Sequence, residues 1–140
     1  MTRYWIAGLA LLATPLSAQT APGDLLTQAM LLGPARMEDA GAGLTIFGEA
    51  GTASYVAMAS GPDCSRSGSN CSTLSFQAVA PPPAGGDAAA DWQAAGLGGT
   101  VSVGGDGWLV LTHNAPATDP AAAFHAWGGL MREFSARFGN

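Results

Sequence analysis

Two cysteines, two histidines and ten carboxylates carry most of the reactive chemistry open to this chain of 140 residues. Cys64 and Cys71 flank the polar run Ser65-Arg-Ser-Gly-Ser-Asn70. Outside them lie two alternating apolar runs, Thr52 to Ala59 and Ser72 to Val79. This pattern predicts a β-hairpin stapled by a disulfide in an oxidising compartment. The spacing misses C-x-x-C, which activates a redox thiol by bringing two sulfurs to one helix terminus. A structural disulfide is therefore the primary reading, and a reactive or regulatory pair is the alternative.

The other constellations are thin. His113 and His125 have no cysteine or carboxylate at metal-ligand spacing, so no structural zinc site is expected. No serine stands in G-x-S-x-G, and no glycine-rich stretch carries the Lys-Ser or Lys-Thr of a phosphate loop. Gly48-Glu-Ala-Gly51, Gly96-Leu-Gly-Gly99 and Gly104-Gly-Asp-Gly107 read as turns. In the last of these, Asp106 alone offers too few oxygens for calcium. No catalytic set, metal site or cofactor is assigned.

Arg3 and the apolar run Ile6 to Ala13 lead to Thr14-Pro-Leu-Ser-Ala18, the pattern of a secretory signal peptide over residues 1–18 with cleavage before Gln19. The apolar run is shorter than the roughly 20 residues a spanning helix needs, so no stable membrane insertion is expected after cleavage. Residues 19–140 are read as one domain, periplasmic or secreted. Without Arg3 the remainder holds four arginines (5 − 1), no lysine and ten acids, a charge near −6 (4 − 10). That balance disfavours nucleic acid and anionic lipid as partners and reads first as a solubility device.

Apolar periodicity predicts the elements that must position these residues. Leu25 to Leu32 reads as a short helix, capped by Asp24 and ended by Gly33-Pro34. A flexible stretch is expected from Ala35 to Gly43. Strands follow at Leu44 to Glu49, Tyr55 to Ala59 and Ser72 to Val79, the first with Leu44 and Ile46 on one face. Pro81-Pro-Pro-Ala-Gly-Gly86 reads as a connector, with a ligand for proline-binding modules as the alternative. A helix around Trp92 then precedes a hairpin, Thr100 to Val103 with Trp108 to Thr112. The last helix starts at Asp119-Pro120, and Phe124, Trp127, Met131, Phe134 and Phe138 fall at spacings of three and four. That stripe, with Trp92, is read as core, with a docking face as the alternative. Gly128-Gly129 within it costs about 1 kcal/mol per glycine relative to alanine, so a close neighbour is expected there. The order is helix, three-stranded antiparallel meander, helix, two-stranded hairpin, C-terminal helix: an α+β fold with helices packed on the sheet.

With these elements placed, Leu44 to Phe138 resembles the YbjN domain family of bacterial sensory transduction regulators. The turn Gly48-Glu-Ala-Gly51 followed by Tyr55-Val56, the Cys64/Cys71 segment, Leu74-Ser-Phe76, Trp92, and the terminal helix with Trp127 and Phe134 carry the likeness. It implies a type III secretion chaperone-like fold that often forms homodimers, and a binding or adaptor role with no catalytic set and no cofactor. The chain departs from the family pattern at Gln93 and at Thr112-His113, so no polar site is carried over to those positions. Two functions follow from the sequence. The first is an exported non-enzymatic domain that binds a protein or peptide, in a regulatory or chaperone-like role. The second is a small periplasmic hydrolase or stress-response enzyme with an unrecognised site.

Overall fold

The computed structural model describes residues 20–139; the signal-peptide assignment lies outside them. The fold is α+β. Its elements in chain order are α1 (Pro22–Leu32), β1 (Ala35–Ala40), β2 (Gly43–Ala50), β3 (Ala53–Ser60), β4 (Thr73–Ala80), α2 (Ala88–Ala95), β5 (Thr100–Val103), β6 (Leu109–Pro116) and α3 (Pro120–Phe138). The six strands form one open sheet in the order β1-β2-β3-β4-β6-β5, with every neighbouring pair antiparallel.

The meander has four strands where the sequence reading expects three. Ala35-Arg-Met-Glu-Asp-Ala40, read as a flexible stretch, is the edge strand β1, paired with β2 from Ala35↔Gly48 to Ala40↔Gly43. Its alternation is short and lacks β-branched residues, but Met37 packs toward the core and Arg36 and Glu38 share the opposite face. Edge strands carry such charges because a polar outer strand resists pairing with other chains. A second correction concerns α1, which begins at Pro22 rather than after Asp24. Proline suits a first helical position because its missing N–H has no intrahelical acceptor there, and Asp24 falls within the first turn without capping it. The last sheet strand starts at Leu109, leaving Trp108 exposed before it.

Asp87 and Asp119 cap α2 and α3, accepting hydrogen bonds from the Ala90 and Ala122 amides, both at 3.1 Å. Gly51 turns the β2–β3 hairpin at φ +64°, in the left-handed region that glycine enters without strain.

Period-two alternation sends Leu44 and Ile46, Tyr55, Ala57 and Ala59, Leu74, Phe76 and Ala78, and Leu109 and Leu111 to one face, where all are buried. Helices α1 and α3 cover that face, and α2 packs beside them through Trp92. Phe76 lies at the centre, stacked on Trp127 (centroids 5.0 Å apart) and edge-on to Phe124 (5.1 Å). The glycine pair of α3 meets the expected neighbour on one side. A Cβ at Gly128 would come within 2.9 Å of Leu32 Cδ2, so the missing side chain admits the end of α1.

Candidate functional site: the helix-free face of the sheet

The cysteines and the aromatic residues singled out in the sequence belong to the frame. Cys64 and Cys71 form a disulfide with a Cα–Cα distance of 4.6 Å, and both are buried. Their loop gathers distant segments. The Cys71 amide donates to the Thr20 carbonyl (2.9 Å), Arg66 N–H donates to Asp39 Oδ1 (2.6 Å), and Ala117 N–H donates to the Ser72 carbonyl (2.9 Å). Trp92, Phe124, Trp127, Met131 and Phe134 are buried, and Phe138 is half-buried against Trp92 and Phe134. The face of α3 considered as an alternative docking surface is thus turned onto the sheet.

The two histidines sit in different surroundings. His113 on β6 is paired in register with Phe76 and stacks on its ring with centroids 6.0 Å apart; partial burial holds its pKa below the usual histidine range. His125 is exposed on α3. Among the described residues no group of three or more His, Cys, Asp or Glu side chains is placed to hold a metal ion. Two buried polar atoms, Tyr55 Oη and Trp127 Nε1, have no hydrogen-bond partner among the described residues, whereas Trp92 Nε1 donates to the Gly98 carbonyl at 2.8 Å. The Tyr55 ring lies across Gly48, where a Cβ would come within 2.5 Å of its hydroxyl.

The other face of the sheet has no helix over it among the described elements. There Phe47, Val56, Met58 and Val79 point outward from three adjacent strands, in phase with Glu49, Ser54 and Gln77. They line an open trough of about 690 Å³, completed on the β1 side by Pro34 and Arg36. Met58 and Val79 are 47% and 56% exposed. The Arg36 guanidinium covers one end of the apolar row, 4.3 Å above the centroid of Phe47, its partner in register, and is ion-paired with Glu38. The surface of the trough is open and mainly apolar, with Arg36, Glu49, Ser54 and Gln77 as its polar lining.

The sequence reading assigns no site to this face, only the alternation that forms it. With Leu44 and Ile46 on one face of the expected strand, alternation puts Phe47 and Glu49 on the other. Arg36 and its position over Phe47 were missed with β1. The alternation of Ala35 and Met37 with Arg36 and Glu38 was the available signal.

Among the described residues no helix is long and apolar enough to cross a membrane. Comparison of the chain with protein-family models, with curated proteins and with solved structures found no match.

Proposed function

We propose that this chain is an exported, non-enzymatic binding domain of the YbjN type, with a type III secretion chaperone-like fold, and that its helix-free sheet face takes up a segment of another protein or a peptide. One observation carries the reading: Phe47, Val56, Met58 and Val79 form an apolar trough that none of the described helices covers, while the aromatic stripe of α3 is spent on the core. Exposed apolar surface rimmed by polar groups is a common mark of an interaction site. The disulfide is compatible with the periplasm or the exterior, where such bonds persist.

The test is site-directed photo-crosslinking in periplasmic extract, with an activity screen in parallel. A crosslinker replacing Met58 is expected to capture a defined polypeptide that one replacing the exposed Ala136 of α3 does not, and Val56→Ser is expected to remove the capture while lowering stability by no more than about 1 kcal/mol. Reproducible turnover of an ester, peptide or phosphate substrate that His113→Ala or His125→Ala abolishes would establish the enzyme instead.

A further inference from the structure

We propose that the partner segment is cationic as well as amphipathic: apolar side chains seat on Phe47, Val56, Met58 and Val79, and an arginine or lysine of the partner faces Glu49. This inference rests on the sheet-face reading and adds the chemical class of the partner.

The charges lining the trough are unequal in their availability. Arg36, the cation there, is already committed, its guanidinium lying over the Phe47 ring and ion-paired with Glu38. Glu49 stands on the same face two residues beyond Phe47 and is exposed. Its carboxylate has neither an ion pair nor a side-chain hydrogen bond among the described residues. The trough therefore offers an apolar floor with one uncompensated carboxylate at its end.

Docking removes water from both. Covering Glu49 with an apolar segment leaves a desolvated charge unpaired, and covering it with an acidic segment adds like-charge repulsion; a guanidinium or ammonium group compensates it. The surrounding field has the same sign, because residues 20–139 hold ten acids against four arginines, and Arg137 is itself paired with Glu133 at 3.6 Å. An acidic surface raises the on-rate of a cationic partner and slows an anionic one, and salt weakens both effects. The apolar row crosses β2, β3 and β4. Strands lie about 4.8 Å apart, so the row spans roughly 10 Å, the length of about two helical turns. Apolar residues at i, i+3, i+4 and i+7 match that span.

Fluorescence anisotropy with two designed peptides of about 14 residues tests the assignment. Both carry leucine at i, i+3, i+4 and i+7; one has lysine and arginine on its polar face and the other glutamate. The basic peptide is expected to bind at least about tenfold more tightly than the acidic one, with the gap closing at high salt. Glu49→Gln is expected to weaken the basic peptide several-fold without changing the circular-dichroism melt, and Val56→Ser to weaken both peptides. Equal binding of the two peptides, or an unchanged affinity in Glu49→Gln while Val56→Ser still impairs binding, would overturn the charge assignment and leave the apolar face standing. Binding indifferent to both Val56→Ser and Val79→Ser, or no binding of either peptide, would overturn the trough itself. A concentration-dependent dimer in sedimentation that Val56→Ser abolishes would assign the face to a second copy of this chain and overturn the proposal.

Discussion

Among the described residues nothing pairs with the polar atom of Tyr55. Its ring fills the space left by Gly48 and meets Trp127 edge-on at 5.8 Å, yet its buried hydroxyl has no hydrogen-bond partner among the described residues. An orphaned buried hydroxyl costs about 1–3 kcal/mol. Tyr55→Phe keeps the ring and removes that cost, so chemical denaturation is expected to show the variant as stable as the parent or more stable by about 1 kcal/mol. Burial also pushes the Tyr55 pKa up to about 12, from 10.0. Below pH 10 the folded and unfolded chains both hold the phenolic proton, and stability is unaffected. Between pH 10 and 12 the unfolded chain releases it first, so stability falls as pH rises. An alkaline unfolding curve should show this loss in the parent, and it should be smaller in Tyr55→Phe. Trp127 calls for a different expectation. It is fully buried between Tyr55 and Phe76, and Trp127→Ala is expected to lose about 3–5 kcal/mol in the same denaturation assay.

At the scale of elements, the hairpin between β3 and β4 and the glycine pair of α3 do the most to join separate parts of the chain. The disulfide closes a short loop, and Cys64→Ser with Cys71→Ser is expected to lower stability by about 2–3 kcal/mol, measured by urea denaturation of the non-reduced proteins. At Gly128 an added side chain meets the end of the Leu32 side chain, which must shift, so Gly128→Val is expected to loosen α1 and cost about 1 kcal/mol. Hydrogen exchange should then rise in Leu25–Leu32 more than in the central strands. Elements with strong periodicity were legible in the sequence. The terminal helix had its Asp119-Pro120 start and a regular aromatic spacing, and β2 and β4 alternated cleanly. The strand β1 was not, because an edge strand paired on one side needs little apolar character and its charges resemble those of a loop. The candidate site inherited that gap: its floor could be assigned to a face, but the position of Arg36 over Phe47 depends on a register that no local pattern specifies.

At the scale of the whole molecule, the described residues form a sheet covered by helices on one side only. That asymmetry explains why an apolar composition coexists with an uncovered trough: the helices supply enough large side chains for one buried face, and the opposite face is left to its alternating polar and apolar residues. The bridge between Thr20 and Cys71 has a further consequence, for the order in which the chain can be assembled. The segment leading into α1 has its backbone partner some fifty positions later, and α1 itself rests on β1 and β2, which follow it directly, and on the distant α3. The contacts of α1 with β1 and β2 close short loops, whereas those of its leading segment with Cys71 and of the helix with α3 close long ones, so the seat of α1 is complete only when both ends of the domain have come together.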